Sequence, residues 1–117
     1  MVEAVLDVVG NTSPGVMLGN VELSCKRQLS WFDFDTESNE ESICIVGGAP
    51  SLDESFPQLK ARYQNGARVW SMNGTYDWLI EHGIVPDGHV MLDARPENVR
   101  FLQHPRKETQ FYIASQC

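Results

Sequence analysis

The sequence predicts an α/β fold with a mostly parallel sheet of about four strands. The main observation is that short apolar segments alternate with segments of helical pattern along residues 43–117. Glycine and proline separate these segments, as is typical where a strand gives way to a helix. Strands and helices that alternate at this spacing form a parallel sheet through right-handed crossovers.

Each predicted element follows from its own residues. The four strands are the apolar runs at 43–48, 67–72, 89–92 and 110–114. The three helices occupy 52–64, 75–82 and 96–103. Because proline is tolerated only in the first turn of a helix, Pro57 limits the N-cap of the first helix to Ser51 or Ser55. Ser51 stands three residues before Glu54, which is the spacing of a capping box.

The sequence divides into an acidic N-terminal extension and linker, residues 1–42, and a compact domain, residues 43–117. The extension contains eight acidic and two basic residues and so carries most of the net charge of -7. Its stretch 8–19 is dense in helix-breaking residues and is predicted to be a loop. The stretch 20–34 allows a short helix, and 35–42 is predicted to be a polar linker.

Composition excludes several classes of protein. No run approaches the roughly 18 apolar residues of a membrane span, and acids near the N-terminus do not fit a secretory signal. Three widely spaced cysteines indicate neither a disulfide framework nor a zinc site. No basic stripe is present for a nucleic-acid backbone. We therefore expect a cytoplasmic protein without membrane or nucleic-acid partners.

The last predicted strand ends three residues before the sequence does. Its residues are apolar, as in an interior strand, and a parallel sheet that stops there lacks covering elements. We therefore expect a fold that is incomplete at its C-terminus, completed by a longer domain or by the second subunit of a homodimer.

Ligands of parallel sheets bind beyond the carboxyl ends of the strands. The residues that follow the four predicted strands are therefore the candidate site: Gly47, Gly48, Ala49, Pro50 and Ser51; Asn73 and Gly74; Asp93 and Arg95; Ser115 and Gln116. We name residues 47–51 the glycine turn. Its glycines let a backbone approach a ligand closely, and the helix start behind it offers free N–H groups to phosphate. It matches neither the dinucleotide fingerprint nor the Walker loop.

Each candidate side chain also has an interpretation that involves no ligand. Asn73 suits a base or ribose, or simply a turn. Asp93 suits Mg²⁺ or a ribose hydroxyl, or a helix cap. Arg95 neutralises phosphate or pairs with Glu97. No residue is an evident general base, so the catalytic residues stay unassigned; His89 is expected to be structural.

Four segments in this order resemble the 6-hydroxymethylpterin diphosphokinase MptE-like family: IVGGAPSL at 45–52, MNG at 72–74 with WLIEHGIVPD at 78–87, HVMLDARPEN at 89–98, and IASQC at 113–117. Relatives usually have a glycine where this sequence has Ala49. The resemblance implies a Rossmann-like, three-layer α/β/α fold. It also implies Mg²⁺- and ATP-dependent transfer of diphosphate to a pterin-type alcohol.

The resemblance implies roles for the candidates: the glycine turn binds phosphate, Asn73 binds the nucleotide, and Asp93 binds metal or ribose. The leading hypothesis is thus a nucleotide-binding transferase domain, diphosphokinase-like. A second hypothesis is a glycosyltransferase-like domain that uses a nucleotide sugar, because the turn is similar to that of some bacterial sialyltransferases and flagellin-glycosylation accessory proteins. A third is a non-catalytic phage or bacterial module that keeps the fold. Whether the chain is an enzyme therefore stays open.

Overall fold

The computed structural model describes residues 10–32 and 40–117. Its helices are α1 (Pro14–Lys26), α2 (Leu52–Gln64) and α3 (Tyr76–Glu81), with 3₁₀ helices at Asn73–Thr75 and Pro96–Phe101. Its strands are β1 (Ile43–Val46), β2 (Arg68–Met72), β3 (Gly88–Met91) and β4 (Gln110–Ile113). The predicted α/β class is confirmed.

The four strands form one parallel sheet in the order β1-β2-β3-β4. Neighbouring strands in the sheet are also neighbours in the chain, so each connection is a short crossover. Val46 of β1 is level with Ser71 of β2, and Met91 of β3 with Ile113 of β4. The carboxyl ends of all four strands therefore lie along the same edge of the sheet.

The core lies between one face of the sheet and helices α2 and α3. Its buried members come from β1, α2, β2, α3 and the segment that follows it: Val46, Leu59, Val69, Leu79 and Ile84. Burying a side chain of this size contributes about 1.5–3 kcal/mol. On the opposite face the side chains are less covered, and Ile45 is 70% exposed.

The prediction of a loop at 8–19 is wrong for the residues from Pro14 onward. Helix α1 begins there, with Ser13 as N-cap accepting a hydrogen bond from the backbone N–H of Val16 at 3.4 Å. Proline at the first position suits a helix start. The short helix predicted within 20–34 is the second half of α1 and ends at Lys26. Most of the predicted linker 35–42 lies outside the described residues.

Two local expectations about helix starts are also wrong. Ser51 is the N-cap of α2, as predicted, but its side chain makes no capping hydrogen bond, so there is no capping box with Glu54. Pro57 lies inside α2, beyond its first turn. Its missing N–H leaves the carbonyl of Asp53 without a helical partner, and both residues are exposed, so water can satisfy that carbonyl.

The third predicted helix, 96–103, is a 3₁₀ helix that ends at Phe101. The 3₁₀ form is frequent in short connections between other elements. In the parts of the chain that the structure describes, no helix is both long and apolar enough to cross a membrane.

Candidate functional site

The structure places the predicted site residues along the carboxyl edge of the sheet. Neighbouring strands lie about 4.8 Å apart, so the glycine turn after β1 and Asp93 after β3 are separated by about 10 Å across the sheet. A ligand the size of a nucleotide spans that distance. Their roles in binding stay predictions.

The glycine turn keeps several of its polar groups free. The N–H of Ala49 donates to the carbonyl of Gly47 at 3.0 Å, and that of Leu52 donates to the carbonyl of Ala49 at 2.9 Å. Among the described residues, no acceptor bonds the N–H groups of Gly48 and Ser51. The hydroxyl of Ser51 is likewise not used for capping. Donors of this kind at the start of a 13-residue helix suit an anion.

The conformation of the turn does not itself require glycine. Neither Gly47 nor Gly48 has a positive φ. A Cβ at Gly47 would meet no atom within 4 Å, and one at Gly48 would come to 3.5 Å from the Thr75 methyl, an ordinary contact. The space in front of the turn is therefore open to a ligand.

A cavity of about 170 Å³ extends along β1 to the glycine turn. It is lined by residues of β1, the turn and α2, including Cys44, Val46, Gly47, Ala49, Ser51 and Ser55. Pockets for whole small-molecule ligands are usually about 300–1,000 Å³, so this cavity suits one part of a ligand. A larger depression of about 460 Å³, beside Arg62 and Arg68, lies at the amino ends of β1 and β2. It contains none of the predicted site residues.

The segment after β2 joins the ends of the two neighbouring strands. Asn73 has a φ of 47°, in the left-handed region that asparagine tolerates better than most residues. The Thr75 hydroxyl lies 3.0 Å from the carbonyl oxygen of Val46 and accepts a hydrogen bond from the N–H of Met72 at 3.1 Å. A Cβ at Gly74 would come to 3.1 Å from the Phe101 ring. Sequence patterns had not indicated the role of Thr75, because its partner Val46 is 29 residues away.

Replacing Thr75 with valine is expected to lower the free energy of unfolding by about 1–3 kcal/mol, because the nearly isosteric side chain leaves buried backbone groups unpaired. Thr75→Ser is the matched control, since it keeps the hydroxyl and costs about 0.8 kcal/mol for the lost methyl group. Urea denaturation measures both variants. A valine variant as stable as the serine variant would contradict the assigned role of the hydroxyl.

Asp93 and Arg95 form a close ion pair after β3. Arg95 Nε lies 3.0 Å from Oδ1 and 2.9 Å from Oδ2 of Asp93, and Nη2 also bonds Oδ2. The backbone N–H of Arg95 donates to Oδ1 at 3.1 Å. These hydrogen bonds lower the pKa of Asp93 to about 2 and raise the pKa of Arg95. Arg95 therefore pairs with Asp93, not with Glu97 as one interpretation had it.

The segment after β4 is tied to helix α1, which the sequence had assigned to the extension. Asn20 Nδ2 donates to the carbonyl of Gln116 at 2.9 Å, and the Ser24 hydroxyl donates to the carbonyl of Ser115 at 3.0 Å. The Gln116 side chain donates to the carbonyl of Leu92 at 2.9 Å. These contacts bring α1 to the carboxyl edge. Burial raises the pKa of the Cys117 thiol, which disfavours a nucleophilic role.

The described residues do not form a metal site by themselves. Within 10–32 and 40–117, no group of three or more His, Cys, Asp or Glu side chains stands close enough to hold an ion. Both carboxylate oxygens of Asp93 are bonded to Arg95. The predicted Mg²⁺ therefore has no complete set of protein ligands here.

Comparison with known proteins identifies one related family. A family model described as "6-hydroxymethylpterin diphosphokinase MptE-like" matches residues 20–117. The match includes all four strands and every predicted site residue. No curated protein and no solved structure matches the chain.

Proposed function

The chain belongs to the 6-hydroxymethylpterin diphosphokinase MptE-like family, and on that premise we propose that it is a nucleotide-binding, diphosphokinase-like transferase domain. The reaction proposed is transfer of diphosphate from ATP to a pterin-type alcohol. One observation carries the proposal: a turn with free N–H groups and the guanidinium of Arg95 lie on the same edge of the sheet. Both are groups that bind phosphate.

Diphosphate transfer requires groups that bind phosphate and hold it in position, and the carboxyl edge of the sheet offers such groups. The alcohol oxygen bonds to the β-phosphorus of ATP, the bond to the oxygen bridging the α- and β-phosphates breaks, AMP leaves, and the alcohol proton is released. Catalysis of such steps depends mainly on positioning and on neutralising charge. The backbone of the glycine turn and Arg95 would bind phosphate oxygens. The amide of Asn73, which bonds no described residue, would bind the base or ribose.

We propose that Mg²⁺ arrives bound to the nucleotide. Mg²⁺ in proteins usually keeps several waters and is held by phosphate oxygens with one or two carboxylates. The residues that the structure describes at this edge do not supply a complete site, so no step of the proposed function is assigned to a protein-bound ion.

Ligand binding to the purified chain tests the proposal. ATP with Mg²⁺ at about 100 times its dissociation constant should stabilise the fold by about 2.7 kcal/mol, which corresponds to a rise in Tm of about 10 °C. GTP, CTP and CMP- and UDP-sugars form the comparison set, each with and without Mg²⁺. A response to CMP or UDP sugars in place of ATP would support the glycosyltransferase-like hypothesis.

A variant of the glycine turn locates the binding. Gly48→Asp puts a negative charge where phosphate is proposed to bind, and the 3.5 Å contact of the new Cβ allows the fold to persist. We expect this variant to lose the ATP-induced rise in Tm. Gly10→Asp makes the same charge change at an exposed site and should keep it. A folded wild-type chain that responds to no nucleotide would contradict both enzyme hypotheses.

The homodimer and the cytoplasmic location predicted from the sequence stay predictions. In support of a second subunit, β1 pairs with β2 alone among the described strands, and Ile45 on β1 is 70% exposed.

A further inference from the structure

We propose that Asp93 positions the Arg95 guanidinium for a phosphate group of the ligand and is not a metal ligand. The inference rests on the proposed function, because it assumes that phosphate binds at the carboxyl edge. It differs from the role that the family resemblance implied for Asp93.

The hydrogen bonds of the pair leave one side of the guanidinium free. An arginine has five N–H donors in a planar fork. Asp93 engages Arg95 through Nε and Nη2, which is the lateral edge of that fork. No described residue accepts a hydrogen bond from Nη1. The donors on Nη1 and the second hydrogen of Nη2 can therefore bind a phosphate in the bidentate manner while Asp93 stays in place.

The pair belongs to a short segment that is fixed at several points. The Asp93 carboxylate accepts from both the backbone N–H and the side chain of Arg95. Asn98, which is buried, donates through Nδ2 to the carbonyl of Asp93 at 3.1 Å. The Arg95 side chain nevertheless remains 48% exposed. An arginine held before the ligand arrives loses less side-chain entropy on binding, which favours affinity.

Removing Asp93 should change anion binding in opposite directions for a positioning role and for a purely electrostatic role. Asp93 is negatively charged, and by charge alone its removal should strengthen the binding of an anion. If Asp93 positions Arg95, its removal should instead weaken that binding. The effect is sought in binding and not in folding, because the proposed role of Asp93 is to fix the position of the guanidinium toward the ligand.

Calorimetry with inorganic pyrophosphate and with ATP, in EDTA and then in Mg²⁺, measures the effect. Arg95→Gln should weaken binding about tenfold, as expected for loss of a hydrogen bond to a charged group. Asp93→Asn should weaken binding about tenfold as well, in EDTA as in Mg²⁺, because asparagine is uncharged and has one acceptor oxygen, so it cannot bond both the backbone N–H and the side chain of Arg95 as the two oxygens of Asp93 do. The double variant should bind no more weakly than Arg95→Gln. Glu108→Gln is the matched control, because this exposed carboxylate lies near the amino end of β4, away from the site.

Three results would overturn the inference while the proposed function stands. The first is unchanged or tighter pyrophosphate binding by Asp93→Asn, and the second is a loss of binding by Asp93→Asn that occurs only when Mg²⁺ is present. The third is that the losses from Asp93→Asn and Arg95→Gln add in the double variant. The second result would make Asp93 a metal ligand. If the folded wild-type chain binds neither pyrophosphate nor any nucleotide, the proposed function fails and the inference fails with it. Circular dichroism establishes that each variant is folded.

Discussion

Gly88→Val is expected to lower the free energy of unfolding by about 3 kcal/mol, the upper end of the usual cost of overpacking. A Cβ at Gly88 would lie 2.7 Å from Cδ2 and Cε2 of the Trp70 ring. The ring passes over Gly88 and stacks on Tyr112, with ring centroids 5.0 Å apart and planes at 17°. Since Trp70 and Gly88 are paired across β2 and β3, the indole cannot avoid the new side chain without leaving its stack.

The loss of a glycine also has a smaller, stabilising effect, which the overpacking against Trp70 outweighs. Removing glycine from a strand reduces the entropy lost on folding, which favours the variant by about 0.5–1 kcal/mol. Urea denaturation of Gly88→Ala and Gly88→Val should therefore give graded losses of stability. Gly19→Ala is the control, because its Cβ would meet nothing within 4 Å and the substitution lies inside helix α1. That variant should gain about 0.5–1 kcal/mol.

A double variant tests the stated cause. With Trp70→Leu in place, the alanine at position 88 no longer meets an indole, so its cost should largely disappear. A Gly88→Ala variant as stable as the wild type, or one whose loss is the same with and without Trp70→Leu, would show that the close packing is not the reason for glycine here.

Local patterns were sufficient to predict the sheet and α2. The strand at 43–48 and the helix at 52–64 are uniform apolar and amphipathic runs bounded by glycine, and such patterns act within a few residues. The observed α2 has the predicted bounds, Leu52–Gln64, and the strands differ from prediction by one or two residues at their ends. Parallel pairing then follows from the alternation of strands and helices.

The first half of helix α1 was predicted to be a loop, because the stability of this helix depends on distant residues. Gly15 and Gly19 disfavour a helix locally. The contacts of Asn20 and Ser24 with the segment after β4 join residues more than 90 positions apart in the sequence. No local pattern encodes such contacts, so the helix-breaking residues of the stretch 8–19 led to the prediction of a loop.

The candidate site shows the same division between local and distant information. The alternation of strands and helices along the chain is enough to predict that residues 47–51 and 93–95 lie at one edge of the sheet. It does not tell which way a side chain turns, so Asp93 appeared as a free carboxylate suited to Mg²⁺. Only the structure shows both of its oxygens bonded to the neighbouring Arg95.

The free energy of unfolding should fall by about 3 kcal/mol as the pH is lowered from 6.5 to about 4, because of His89. This side chain is fully buried in the core, where its Nδ1 lies 2.9 Å from the Ser71 hydroxyl and its Nε2 bonds no described group. Burial lowers the pKa of His89 from 6.5 to about 4, and the negative charge of Asp77 opposes this shift. The unfolded chain takes up a proton below pH 6.5, and the folded chain takes it up only near pH 4. Protonation therefore favours unfolding throughout that interval, and the loss is complete below it.

Urea denaturation at pH 7.5, 6.5, 5.5 and 4.5 measures this loss. His89→Gln cannot titrate, so its stability should change much less over the same range, even if it is lower at pH 7.5. His82→Gln is the matched control, an exposed substitution at the C-cap of α3, and this variant should keep the fall in stability that is assigned to His89. The pKa of Asp93 is lowered from 3.8 to about 2, so the loss of its contribution falls at a lower pH and does not overlap the His89 interval. An equal fall in the wild type and in His89→Gln would assign the acid sensitivity to other groups and contradict the buried, neutral state of His89.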